Sequence, residues 1–163
     1  MNIELKNVKF YERMSEETNC FVADLYINGV KMAYVKNDGH GGSTNVQPYK
    51  DYKSLKPFFD FCENQPSIKY NDFTLEMTAD LYVDNLFENW LKEKDSKKMK
   101  KQFEKGIVYA KTPTLESSYN IVSWKNKSLS EVIQLNPTAV KKVINDLKGK
   151  GFYIFNPNLP KGF

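Results

Sequence analysis

The sequence holds a single histidine, His40, and two cysteines, Cys20 and Cys62, in 163 residues. That scarcity excludes several chemistries. A zinc site takes about four suitable ligands, and neither cysteine has a CxxC partner or a clustered histidine nearby. A lone histidine also excludes hydrolysis at a histidine-rich metal centre. There is no GxSxG nucleophile elbow and no GxxxxGK[ST] phosphate loop. Repeats, linkers and low-complexity stretches are absent. No apolar run approaches the ~18–20 residues that span a bilayer, and Met1 to Lys6 alternates polar and apolar residues with no apolar signal core. The expectation is a cytoplasmic protein with no membrane partner, its cysteines two reduced thiols in preference to one disulfide. No metal, cofactor or catalytic residue is assigned, and the balance is against an enzyme.

What is present is ordinary in bulk and uneven in detail. Apolar residues at 40% and charged residues at 27% fit a soluble globular chain, and the length fits a single domain over 1–163. Aromatics reach 14%, and they fall inside strand and helix patterns, where core and half-buried sheet surface account for them. The formal net charge of +4 is local. Between Lys92 and Lys105 seven lysines face Glu93, Asp95 and Glu104, and the rest of the chain is neutral.

The pattern along the chain predicts an α+β fold: an N-terminal antiparallel meander with a hairpin, central long helices, and a C-terminal strand-helix-strand. Ile3, Leu5, Val8 and Phe10 form a first strand whose phase slips near Asn7, the mark of a bulge. Cys20 to Ile27 alternates, with Phe21, Ala23, Leu25 and Ile27 on one face. Asn28-Gly29 suits a type I′ turn, because both residues tolerate positive φ, and Val30 to Val35 returns as the partner of this three-strand meander. Lys53 to Asn64 has one apolar helical face, Leu55, Phe58, Phe59 and Cys62, with Pro57 placed in the first turn.

A strand is expected at 72–77. Helical periodicity follows from Thr78 to Gly106, with Asp95-Ser96 a point of division into two helices. Strands over 107–110 and 119–124 join through Thr112-Pro113. Ser128 and Glu131 make a capping box. Asn136-Pro137 starts a further helix with Val140, Val143, Ile144 and Leu147 on its buried face, and 152–155 is a last short strand.

One loop stands out for function: Asp38, Gly39, His40, Gly41, Gly42, Ser43 and Thr44. Glycines permit left-handed backbone, so that successive N–H groups can converge on an anion. Ser43 and Thr44 add hydroxyl donors, and His40 donates or accepts near neutral pH. Asp38 can orient His40 or cap a turn. The combination suits a phosphate, carboxylate or ribose, hence a nucleotide or other small anionic ligand, with Tyr34 or Tyr49 as a stacking face. The plain alternative is a structural strand-to-helix connection. Asp80 and Asp84, at i and i+4, form a two-carboxylate pair, for which a solvated helix face is the simpler reading.

A second reading is nucleic acid. Lys97, Lys98, Lys100 and Lys101 give the long helix a basic face suited to phosphates or an acidic partner. The order of elements over 129–155 is also that of a winged helix-turn-helix, which would turn Thr138, Lys141, Lys142 and Asn145 toward a groove, its wing supplied by the eight-residue tail. A third reading is a module that engages a host protein. An exposed first strand could further pair across a homo-oligomer.

The stretches Leu5 to Phe10, Ser15 to Phe21, Ala23 to Gly29 and Asn37 to Gly42, together with Gly151 to Pro160, resemble a set of small uncharacterised proteins of bacteriophages and related mobile elements. Phe155-Asn156 departs from the Leu-Asn common there. The resemblance implies a phage source and the host cytosol as location. It implies interference with host defence, by sequestering a signalling nucleotide or blocking a host protein, or an accessory role on nucleic acid. It carries no activity with it.

Overall fold

Apolar alternation from Ile3 onward builds an antiparallel sheet. In the computed structural model, which describes residues 1–69, 71–115 and 118–163, β1 (Ile3–Phe10), β2 (Phe21–Ile27), β3 (Val30–Asn37) and β4 (Asn45–Pro48) lie side by side in chain order. The slip in β1 is a bulge between Lys6 and Lys9, with Asn7 at φ 53°. Asn28 and Gly29 take φ 49° and 81°, the left-handed pair that the tight turn requires. The fourth strand adds to the expected meander of three. Its sequence, Asn-Val-Gln-Pro, is too polar and too short to announce a strand, and at a sheet edge Pro48 removes no needed donor. A second bulge, at Met32 between the pairs Leu25–Ala33 and Tyr26–Lys31, reverses the phase at the start of β3.

The fold is α+β. The chain divides into two compact units, Met1–Leu91 and Lys92–Phe163, each with its own apolar cluster. In the first unit one sheet face (Phe21, Ala23, Leu25, Ala33, Val35) packs on α1 (Tyr52–Glu63) and on the first part of α2 (Ala79–Lys105). Phe87 of α2 stacks on Phe21 with ring centroids 3.9 Å apart and meets Phe10 at 5.5 Å. Asp51 caps α1 by accepting from Ser54 N. This start places Pro57 in the second turn, not the first; its exposed position confines the loss to one backbone hydrogen bond on the solvent side. Cys20 and Cys62 are both buried free thiols, and burial pushes the Cys62 thiol up to about 12, far from a reactive thiolate.

The strand expected at 72–77 shrinks to β6 (Thr74–Leu75), paired with β5 (Ile68–Lys69). Helix α2 runs unbroken through Asp95-Ser96. Neither residue removes a backbone donor, and lysine-rich flanks with good helix propensity carry the turn onward.

In the second unit β7 (Gly106–Ala110) lies between β8 (Asn120–Ser123) and β9 (Tyr153–Ile154). Part of the β7–β8 connection, residues 116–117, lies outside the described residues. The capping box at Ser128 opens α3 (Leu129–Leu135), and Asn136 opens α4 (Pro137–Gly149) by accepting from Ala139 N. Leu129, Val132, Val140, Ile144 and Leu147 close over Ile107. Asn156 fastens the tail: its side chain accepts from Val108 N at 2.6 Å and donates to Gly106 O at 2.9 Å. Among the described residues no helix is long and apolar enough to cross a membrane.

Candidate functional site

The loop after β3 is organised by its first residue. Asn37 is buried, because β3 delivers it on the core face. Its carboxamide oxygen accepts from Gly39 N at 2.9 Å and from the Thr18 hydroxyl at 2.8 Å. Its amide nitrogen donates to Gly42 O and to Thr44 Oγ1, both at 3.0 Å. One side chain thus joins both ends of the loop to the 15–19 turn. A buried carboxamide with donors and acceptor all engaged is rigid, since each partner would be costly to leave unpaired.

Gly39 continues the fastening. Its carbonyl oxygen accepts from the N–H groups of Glu16, Glu17 and Thr18 at 3.0, 3.1 and 3.3 Å. Convergent amides of the kind expected from the glycine stretch are therefore found in the 16–18 turn, and the group they hold is a protein carbonyl. Gly39 has φ 87°, and a Cβ there would lie 2.3 Å from Met14 O and 2.8 Å from Cys20 Cβ. Gly41, also at φ 87°, donates its N–H to Thr18 Oγ1 at 3.3 Å. The Gly39 and Gly41 amides are engaged inside the protein and are not open to an anion.

Those side chains point outward. Asp38, His40, Gly41, Gly42 and Ser43 are exposed, while Gly39 and Thr44 are buried. Asp38 does not orient His40; it pairs with Lys36 at 2.7 Å, and that carboxylate raises the Lys36 pKa. His40 Nδ1 lies 3.1 Å from Glu16 Oε2. On this outer side Lys36, Asn37, Asp38, His40, Ser43 and Asn45, with the Gly42 backbone, line a hollow of about 460 Å³. A lysine, an imidazole, a hydroxyl, two carboxamides and the Asp38 carboxylate meet there. The Lys36–Asp38 pair is solvent-exposed and therefore weak, so an incoming anion can exchange with that carboxylate.

The inner side of the loop is acidic. The Thr44 hydroxyl, which accepts from Asn37, donates to Asp84 Oδ1 on α2. A cleft of about 220 Å³ lies beside this contact, lined by Glu17, Thr18, Asn37, Asp84 and Phe87 among others. Burial pushes the Asp84 carboxyl up, the Thr44 hydrogen bond opposes this, and the nearby Asp80 and Glu88 charges add to the rise. An acid whose folded pKa is raised contributes fully below its unfolded value, 3.8, and that contribution is lost as pH rises through the folded pKa. Asp84→Asn keeps an oxygen for Thr44 and removes the charge. It is expected to melt about 1–3 °C above the parent at pH 7, with the advantage gone below pH 3.8; melting curves across pH check this.

Asp80 and Asp84 do separate work. Asp80 accepts from Thr78 at the start of α2. Among the described residues no group of three or more His, Cys, Asp or Glu side chains is placed to hold a metal ion.

The alternative nucleic-acid residues lie in the second unit. Lys97, Lys98, Lys100 and Lys101 are exposed along α2, with Met99 and Phe103 half-buried. Thr138, Lys141, Lys142 and Asn145 are exposed on α4. The winged-helix pattern is only partly reproduced. Asn136 alone connects α3 to α4, as C-cap of one and N-cap of the other, whereas a helix-turn-helix uses a turn of about three to four residues. The tail forms turns and no wing hairpin, and Phe163 packs into the second cluster with Lys141 Nζ 4.9 Å from its ring centroid.

The chain matches no protein-family model, no curated protein and no solved structure. Its site is legible only from its own geometry. Sequence reasoning centres on the glycines, reads Asp84 only as one of a carboxylate pair with Asp80, and gives Asn37 and Thr18 no part in holding the loop. The one available signal for Asn37 was its place on the apolar phase of β3, where a carboxamide needs partners.

Proposed function

We propose that the protein is a binding protein, of the bacteriophage kind its sequence resembles, that holds a nucleotide or comparable small anion in the outer hollow of the 38–44 loop. The observation that carries this reading is the pairing of a locked loop with an outward set of recognition groups. Asn37 fixes the backbone from behind, while Lys36, His40 and Ser43 face a hollow large enough for a nucleotide-sized group. Pre-organised side chains lose little on binding. Lys36 exchanges Asp38 for phosphate, and His40 and Ser43 donate to phosphate or ribose. Sequestration of a signalling nucleotide in the host cytosol fits such a site, with no reaction required.

Thermal-shift screening against mononucleotides and cyclic dinucleotides tests this. A ligand at one hundred times its Kd raises stability by about 2.7 kcal/mol. Lys36→Ala with His40→Ala is expected to weaken binding at least tenfold, and Gly41→Val, which puts a β-branched residue at a left-handed φ of 87°, is expected to do the same. Unchanged binding in both variants would remove the loop from the site.

A second reading rests on the exposed lysines of the second unit. In that reading duplex DNA or RNA binding falls steeply with salt. Neutralising Lys97, Lys98, Lys100 and Lys101 then lowers the slope of log K against log salt by up to about 3.6, at 0.9 per phosphate contact. No duplex shift at low salt would end it. Pull-down from host lysate addresses the host-protein reading.

A further inference from the structure

The face of the first sheet opposite its core is unlike an ordinary solvated surface. Strand register sets its side chains in rows. Lys6 of β1, Asp24 of β2, Tyr34 of β3 and Gln47 of β4 stand side by side. On one flank lie Glu4, Tyr26 and Lys31, the last brought to this face by the bulge at Met32. On the other flank lie Lys9, Val22, Lys36 and Asn45.

Two further observations mark the face. Lys6 Nζ lies 4.6 Å from the Tyr26 ring centroid, and Lys31 Nζ lies 4.6 Å from that of Tyr49. The central acid is covered: Asp24 accepts from Asn7 at 2.7 Å and Tyr49 at 2.8 Å and pairs with Lys31 at 3.0 Å. Three tyrosine rings interleaved with four lysines face outward, beside Glu4, Val22, Gln47 and Asn45. Lys6, Lys9, Lys31 and Lys36 are exposed, as is Tyr49, while Tyr26 and Tyr34 are half-buried with their rings on the open side.

We propose that this face binds single-stranded nucleic acid. Interleaved aromatic rings and cations are what an unpaired strand needs: bases stack on the rings, and phosphates pair with the lysines between them. A duplex hides its base faces, so it gains only the phosphate contacts. Glu4 pairs with Lys6 at 3.4 Å, Asp24 with Lys31 at 3.0 Å and Asp38 with Lys36 at 2.7 Å, so the four lysines keep an excess of one positive charge, and the two exposed pairs, Lys6–Glu4 and Lys36–Asp38, are weak enough to exchange for phosphate. Lys6, now lying over the Tyr26 ring, swings to phosphate as a base takes its place, while Lys31 stays paired with Asp24. The site is distinct from the loop hollow, which it meets at Lys36 and Asn45, and it does not depend on nucleotide binding there.

Fluorescence anisotropy with labelled dT15 and U15 strands and a duplex of equal length tests the proposal on the full chain. The expected result is at least tenfold tighter binding of a single strand than of the duplex. Lys6→Ala with Lys9→Ala is expected to lower the salt slope by about 1.4, at 0.7 per phosphate contact. Tyr34→Leu, which keeps apolar bulk, is expected to weaken single-strand binding about tenfold with the salt slope unchanged. His40→Ala with Ser43→Ala is expected to leave oligonucleotide affinity within twofold while abolishing mononucleotide binding at the loop. Three results would overturn the proposal: no binding of either strand at low salt, equal binding of duplex and single strand, or single-strand affinity that responds to the His40 and Ser43 changes and ignores those on the sheet.

Discussion

Asn37→Ala is expected to lower stability by about 3–4 kcal/mol, a fall of roughly 10 °C in melting temperature for a chain of this size. The side chain makes four hydrogen bonds, to Gly39 N, Thr18 Oγ1, Gly42 O and Thr44 Oγ1. Net, each contributes about 1 kcal/mol, and truncation strands the buried Gly39 N–H, which water reaches poorly, while the Thr44 hydroxyl loses one donor and keeps its bond to Asp84. Thr18→Ala removes one of these bonds and the partner of Gly41 N, so its cost is expected near 1–2 kcal/mol. Calorimetry measures the totals. Hydrogen exchange locates them: protection is expected to fall first over residues 15–19 and 37–44.

Gly39→Ala is expected to cost about 3 kcal/mol or more. A non-glycine residue at φ 87° is strained by about 1–2 kcal/mol. The added Cβ would also stand 2.3 Å from the Met14 carbonyl oxygen, a backbone atom that cannot rotate away. Relief requires the loop to part from the 15–18 turn, which breaks the three amide contacts on the Gly39 carbonyl. Gly42→Ala is the control. A Cβ there meets nothing within 4 Å, and Gly42 has no left-handed φ, so the substitution is expected to be nearly neutral. Urea denaturation of the two variants side by side separates a requirement for glycine from mere loop flexibility.

The contrast between these glycines shows what could be read in advance. Strand phase, the Asn28-Gly29 turn, the Asn7 bulge, the capping box at Ser128 and the Asn136-Pro137 helix start are local devices, and each appears in the structure where its residues place it. Partners that are distant in sequence are a different matter. Nothing in the local pattern couples Asn37 to Thr18, Thr44 to Asp84, or Gly39 to Met14, because those contacts exist only once the 15–19 turn and α2 are packed against β3. The two flanks of the loop were equally hidden: a glycine run predicts backbone freedom, whereas here the Gly39 and Gly41 amides are tied down and the open chemistry lies in Lys36, His40 and Ser43. The fourth strand is illegible for the opposite reason, since Asn-Val-Gln-Pro has little apolar signal and is a strand only because β3 offers it an edge.

Amide chemical-shift mapping during titration with a nucleotide tests the central claim most directly, because it reports the loop, the sheet face and the basic helix in one experiment. Saturable shifts centred on Lys36, Asp38, His40, Ser43 and Asn45, absent in the Lys36→Ala, His40→Ala variant, are the predicted result. Shifts confined to residues 92–105, or no saturable shift with any nucleotide, would contradict it.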